Sequence, residues 1–294
     1  MTSQSPPNVP APRRRAAWRR CEPVMTNGHA LAVFEAGRSD AQAPVVLLVH
    51  GMGHWTQAAW DTLAAMFEAT HRIVAFDLPG FGDSAKPRTT YSLAFFVAAL
   101  RAVVVAHGLH RFALAGHSLG GMIAADYAAR YPGDVRLLAL IAPAGFLRTP
   151  KLLLRISASP PLLWLLGRLR PPRAFVRRAL ELAVHDPAVV PPDVHEHAYA
   201  LSRDPAVSQA FFRIYAGAAK DLMRVKLLHA RFARWRGPTL IVWGKLDRYV
   251  PIRALANARR VYPTADVLEI ERCGHCPNVE FPELVAERWL ANGI

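Results

Sequence analysis

Three stretches far apart in the chain carry residues able to do chemistry together. "AGHSLGG" (115–121) contains Gly116-His117-Ser118-Leu119-Gly120, a G-x-S-x-G pattern. The run "FALA" before it and "MIAADYAARYP" after it make it a strand-to-helix elbow, with Ser118 at the carboxyl end of a strand. A serine hydroxyl attacks only when a base takes its proton. His275 in "CGHC" (273–276) lies between the run "DVLEIE" and the last helical pattern and is the candidate base. Such a base needs a carboxylate to hold its tautomer and stabilise the imidazolium. Asp247, in "WGKLDRYVP" (243–251), is the candidate acid. The expected chemistry is acyl transfer by Ser118, His275 and Asp247. Asp77 and Asp83 in "FDLPGFGDS" precede the serine, and the tight "LPGFG" turn suggests that Asp77 shapes a loop.

"CGHC" has other readings. A redox dithiol wants a thioredoxin-like context early in a domain, yet fewer than twenty residues follow Cys276, beginning with Pro277. Haem attachment needs a histidine where Pro277 stands. A zinc site lacks a second Cys or His pair at the usual spacing. The histidine-as-base reading is the one that uses the rest of the chain, and no metal or organic cofactor is expected.

An acyl-transfer transition state carries an oxyanion that preorganised N–H groups must hold. The backbone N–H of Leu119 is one candidate, and that of Met52, in "HGMGHW" (50–55), is the other. His50 is expected to tie this loop down. His54, Trp55 and His117 are assigned to a substrate pocket, with simple packing an equal alternative for His54 and Trp55.

These groups need a scaffold that brings strand ends together. "PVVLLVHG" (44–51), "HRIVAFDLPG" (71–80), "RFALAGHS" (111–118), "VRLLALIAP" (135–143), "PTLIVWG" (238–244) and "ADVLEIE" (265–271) are short apolar runs rich in β-branched residues. Helical patterns near 56–70, 91–107, 119–131, 251–262 and 281–292 separate them. Alternation of this kind predicts a mostly parallel sheet with helices on both faces. "ALAVFEAG" (30–37) is the expected antiparallel start. The alternation stops over 145–236, which holds nine prolines at 150–205 and helical runs but no clear strand. That is too long for a plain loop. The expected organisation is a disordered basic tail (1–22), a core (23–144 and 237–294) and a helical cap inserted at 145–236.

The chain has 294 residues, 52% of them hydrophobic, enough for one large core, and only three cysteines, too few for a disulfide framework. The N-terminal stretch "MTSQSPPNVPAPRRRAAWRR" lacks the apolar run of a secretory signal. The net charge of +14 is uneven. Residues 1–20 hold five arginines and no acid, and residues 147–236 hold sixteen Lys or Arg against six acids. Such surface suits anionic partners, or is simply solvated. "KLLLRISASPPLLWLLGRLRPPRAFVRR" (151–178) interleaves Leu and Trp with Arg. It reads as a cap segment over a lipophilic pocket, with membrane contact as a compatible extra.

The set "HGMG", "DLPGFGDS", "GHSLGG", "WGKLDRYVP" and "CGHCPNVEFPE", in that order, resembles the α/β-hydrolase family from about residue 25 to the end. The resemblance implies an eight-stranded sheet, a helical cap and hydrolysis through an acyl-enzyme without metal or organic cofactor. It is to capped esterases, monoacylglycerol-type lipases and carbon–carbon bond hydrolases. Ser118 argues against the dehalogenases and epoxide hydrolases of this fold, which use an aspartate nucleophile. Fold does not decide substrate. The expectation is a serine hydrolase of a small hydrophobic ester, with carbon–carbon bond cleavage or cofactor-free haloperoxidase or perhydrolase activity as alternatives. A catalytically silent basic protein is a fourth reading. No nucleic-acid partner is expected, and the expected location is cytoplasmic, with peripheral membrane contact through tail and cap.

Overall fold

The computed structural model describes residues 13–40 and 42–293. In chain order its strands and helices are β1 (Arg19–Arg20), β2 (Val24–Thr26), β3 (His29–Leu31), β4 (Val33–Gly37), β5 (Val45–Val49), α1 (Thr56–Ala65), β6 (Arg72–Phe76), α2 (Leu93–Ala106), β7 (Phe112–His117), α3 (Leu119–Arg130) and β8 (Val135–Ile141). Six helices follow: α4 (Lys151–Ser157), α5 (Pro160–Leu166), α6 (Arg173–Ala183), α7 (Pro192–Arg203), α8 (Pro205–Leu222) and α9 (Val225–Phe232). The chain then returns to the sheet through β9 (Thr239–Gly244), α10 (Leu255–Val261), β10 (Asp266–Ile270), α11 (Pro277–Glu280) and α12 (Pro282–Ala291).

Eight strands form one sheet in the order β1-β4-β6-β5-β7-β8-β9-β10. β5 to β10 pair parallel with one another, while β4 pairs antiparallel with β6; of the expected strand "ALAVFEAG" only Val33–Gly37 joins this sheet, Ala30 and Leu31 belonging to β3 in a separate hairpin with β2. The period-2 alternation of side chains divides every central strand between two cores. Leu47, Val74, Leu114 and Ile241 join Phe96, Ile123 and Tyr127 on one face. Their neighbours Leu48, Ile73, Ala115 and Leu240 join Trp60, Leu63 and Trp289 on the other. Burial on both faces is why these strands are continuous apolar runs in the sequence.

The expectation of a disordered tail over 1–22 is corrected for residues 13–22; residues 1–12 lie outside the described residues. β1 supplies the eighth strand, pairing antiparallel with β4 at Arg19↔Glu35 and Arg20↔Phe34. Trp18 Nε1–H donates to Asp61 at 2.7 Å, Arg14 pairs with Glu68 at 2.8 Å, and the two terminal Arg15 guanidinium nitrogens reach Asp193, at 2.7 and 2.9 Å. Arg14, Arg15, Arg19 and Arg20 have carboxylate partners, and Arg13 has the backbone carbonyls of Val279 and Glu280, all invisible to a local reading of composition.

α4 to α9 lie between β8 and β9 in the chain and are tied to the elements around the sheet by side-chain contacts. Asp221 accepts from the Leu93 N–H at 2.8 Å, His229 Nε2–H donates to Gly145 O at 2.9 Å, and Arg231 of α9 pairs with buried Asp126 of α3. Among the described residues, no helix is long and apolar enough to cross a membrane.

Candidate active site

β7 ends at His117 and α3 begins at Leu119, leaving Ser118 at the turn with φ 53° and ψ −114°. That is a strained conformation for a residue bearing a Cβ, kept only where surroundings over-determine it. Here they do. The Ser118 N–H donates to Ile141 O at 3.0 Å, and its carbonyl accepts from Met122 and Ala144 at 3.2 and 2.9 Å. A Cβ on Gly116 would stand 2.2 Å from Gly120 O, and one on Gly120 would stand 2.1 Å from Val49 O. Glycine at both positions is therefore a steric requirement of the elbow.

His275 follows β10 and Asp247 follows β9, so both reach the strand-end rim where Ser118 stands. The ring Nδ1 lies 2.7 Å from Asp247 Oδ2, and Nε2 lies 2.9 Å from Ser118 Oγ. A carboxylate only accepts, so Nδ1 carries the hydrogen and Nε2 accepts the serine O–H. The other Asp247 oxygen accepts from the N–H groups of Tyr249 and Val250, both at 2.8 Å, which aims Oδ2 at the imidazole. Asp247 and His275 are buried, whereas Ser118 keeps partial exposure. Ser118, His275 and Asp247 thus form one hydrogen-bonded chain in proton-transfer geometry, in the chain order Ser-Asp-His.

Residues 44–282 match the family model described as alpha/beta hydrolase fold. The chain belongs to the α/β-hydrolase fold family. Lipase 1 of Psychrobacter immobilis is 29% identical over 289 residues, covering 91% of this chain and 82% of its own. The 2-hydroxymuconate semialdehyde hydrolase of Pseudomonas putida is 29% identical over 244 residues, covering 82% and 83%. Among solved structures, 2-hydroxy-6-oxo-6-phenylhexa-2,4-dienoate hydrolase from Rhodococcus sp. strain RHA1 superposes with a TM-score of 0.78 at 22% identity, covering 94% and 98%, a likeness of fold alone.

In this α/β-hydrolase, neither the Met52 nor the Leu119 N–H donates to an acceptor among the described residues. The loop that holds Met52 runs against the elbow: a Cβ on Gly51 would lie 3.1 Å from Ser118 Cβ. His50 braces it, donating from Nδ1 to Gly51 O and accepting at Nε2 from the Leu78 N–H, both at 2.8 Å. Asp77 works below the loop, accepting from the N–H groups of Thr56 and Asp83 at 2.8 Å. Asp83 is salt-bridged to Arg20. His54 is half-buried beside Met52, and Trp55 is buried against the His197 ring, 4.5 Å away. His117 requires a correction. It is fully buried, and its Nε2–H donates to the His275 carbonyl at 2.8 Å, so it supports the histidine loop from behind and does not line a pocket.

The cysteines of "CGHC" are buried and unpaired. Burial, with Glu280 beside them, pushes both thiols well above the ordinary thiol range, so neither is a thiolate at neutral pH. Glu280 itself was not read from the sequence. Its buried carboxylate accepts from the Gly274 and His185 N–H groups, each at 2.7 Å, and faces Cys273 Sγ at 3.5 Å. It therefore pins the loop of His275 to the end of α6, where the His275 N–H also donates to Ala183 O at 2.6 Å. The signal available was an acid five residues beyond His275, flanked by Val279 and Phe281 in "PNVEFP". Glu280→Gln turns one acceptor into a donor facing an N–H, and an unsatisfied buried group costs about 1–3 kcal/mol. The expected result is a loss of that size in urea-unfolding stability, with His275 less well held and kcat lowered.

Three histidines crowd this region as neutral rings. Burial lowers His50 and His117, and burial, as the largest cause, brings His54 down to about 4. The unfolded chain takes up protons on these groups near pH 6.5 while the folded chain does not. Stability therefore rises with pH across this window and falls as pH drops from about 6.5 towards 4. A tenfold difference in proton affinity is worth about 1.4 kcal/mol, so His54 alone contributes up to about 3 kcal/mol. Urea midpoints measured from pH 7.5 down to pH 4.5 are expected to fall steeply, and less so in His54→Gln; a flat profile would contradict the neutral buried assignment.

Proposed function

We propose that the protein is a serine hydrolase cleaving hydrophobic carboxylic esters through an acyl-enzyme. The observation that carries this reading is the hydrogen-bonded chain from Ser118 Oγ through His275 to Asp247, at 2.9 and 2.7 Å, at a strained elbow. In this reading Ser118 Oγ attacks the ester carbonyl as His275 Nε2 takes its proton. The imidazolium formed is stabilised by Asp247, which stays ionised. The oxyanion is held by the N–H groups of Met52 and Leu119, the latter at a helix N-terminus. His275 returns the proton to the leaving alcohol, and the same base then activates a water that releases the acid. Apolar side chains near the site support a lipophilic acyl group: Met52, Trp55 and, from α8, Phe211, whose ring edge lies 3.6 Å from where a Gly53 Cβ would be. The similarity to Lipase 1 favours the same substrate class.

The similarity to 2-hydroxymuconate semialdehyde hydrolase supports a second reading, carbon–carbon bond cleavage of a vinylogous diketone by the same three residues. Turnover of a p-nitrophenyl ester series from acetate to palmitate, beside a dienoate diketone and a peroxide-dependent halogenation assay, separates the alternatives. Ester turnover that improves beyond acetate is expected. Cleavage of the diketone with no ester turned over would transfer the assignment to the second reading, and halogenation alone would remove both.

A further inference from the structure

The outward side of the cap carries a surface that hydrolysis does not explain. α4 buries Leu154 and leaves Leu152, Leu153 and Ile156 exposed; α5 buries Leu163 and leaves Leu162, Trp164 and Leu165 exposed. Both helices pack on α8 through their inner sides. Among the described residues, eight of the fifteen large exposed hydrophobic side chains lie between residues 152 and 175. Single exposed hydrophobics are ordinary; a concentration on one short segment marks a contact surface.

The charges around this surface are of one sign. No Asp or Glu occurs between residues 135 and 180. Arg173, Arg177 and Arg178, on α6, pair with Glu196 and Glu181. By contrast, none of Lys151, Arg155, Arg168, Arg170, Arg213 and Lys220 has a carboxylate partner among the described residues. A cleft of about 510 Å³ between α5 and α8 gathers Arg88, Arg168, Arg213 and Lys220 beside Trp164 and Phe212. An adjoining cleft of about 600 Å³ shares Lys220 and adds Lys151, Arg155 and Arg224. The one carboxylate there, Asp221, is engaged by the Leu93 N–H. The Arg168 guanidinium lies 3.5 Å above the Trp164 ring, an aromatic–cation pair suited to a boundary between hydrocarbon and charge. Neither cleft is lined by Ser118, Asp247 or His275.

We propose that the outward face of α4 and α5 docks on an anionic lipid bilayer, with leucine and tryptophan side chains among the acyl chains and the unpaired cations on the headgroup phosphates. Arg and Lys stems cover apolar surface while their charges stay at the headgroup level. A surface both apolar and cationic fits lipid, because each component has its own layer to enter. Docking of this kind is a matter of binding alone and stands whether or not Ser118 proves to be the nucleophile.

The test is co-sedimentation of the full chain with vesicles of phosphatidylcholine alone and with about one-third phosphatidylglycerol. Binding to the anionic vesicles is expected to be at least about ten-fold tighter, and to weaken steeply as salt rises from about 0.1 to 0.5 M. Each of Arg168→Ala and Lys220→Ala is expected to lower anionic binding about five-fold. The double variant Leu153→Ser/Trp164→Ser is expected to abolish it without shifting the melting temperature, since both side chains are exposed. Quenching of tryptophan fluorescence by brominated lipid is expected in the wild type and to be lost in Trp164→Phe. Equal or absent binding to the two vesicles, or binding untouched by these variants, would overturn the proposal. So would a concentration-dependent dimer in sedimentation velocity that the double variant dissolves, because a second copy would then cover this face.

Discussion

Ser118→Ala is expected to remove ester turnover almost completely, with kcat lowered on the order of 10⁶-fold and KM little changed. The residual rate would come from binding and the oxyanion N–H groups, which are backbone and survive the substitution. Covalent labelling by a fluorophosphonate would vanish with it. The fold should not suffer. Alanine inherits the same φ of 53° and the same three backbone hydrogen bonds, so the elbow stays closed. The only contact removed is the 2.9 Å hydrogen bond to His275 Nε2, worth about 1 kcal/mol. Stopped-flow ester hydrolysis, gel-based labelling and a thermal melt on the same preparation read all three outcomes. A variant retaining more than about one percent of activity would remove Ser118 from the mechanism.

Asp247→Asn should have the second-largest effect, for a reason visible in its hydrogen bonds. The Tyr249 and Val250 N–H groups both donate to Oδ1, so the amide must turn its oxygen there. Its NH2 then faces His275 Nδ1, which lies 2.7 Å from Oδ2 in the native site. A donor at that place forces the opposite tautomer, with Nε2–H pointing at Ser118, and a ring in that state cannot accept the serine proton. kcat is expected to fall about 10⁴-fold with the melting temperature nearly unchanged. Asp247→Ala should add instability, because it leaves those two N–H groups without a partner. Steady-state kinetics of the Asn variant beside unfolding of both variants checks this. An Asn variant with near-native kcat would show that the carboxylate does not orient the base.

Much of this architecture was legible along the chain, and the limits were physical. The central strands stood out because each is buried on both faces, so nearly every position is apolar. The elbow stood out because close backbone approach admits only glycine at 116 and 120. β1 did not, since two arginines have no strand pattern and their partners, Glu35 and Asp83, are far along the chain. His117 was misassigned because its position beside Ser118 says nothing of the direction of its ring, which packs inward beneath His275. Glu280 does not stand out, because its two N–H partners, Gly274 and His185, lie in segments far apart along the chain.

The chemical character of the groups and the order of the central strands and helices can be read along the chain. Both are local: a side chain's chemistry and a period of two or 3.6 residues are properties of a few neighbours. Folding of the whole chain is what brings residues 157 apart to 2.9 Å and residues 28 apart to 2.7 Å. It also turns Leu152, Leu153, Leu162 and Leu165 of α4 and α5 outward while Leu154 and Leu163 face in. Distances of that kind follow from strand register and from how helices seat on a sheet, and these depend on the packing of the whole chain at once.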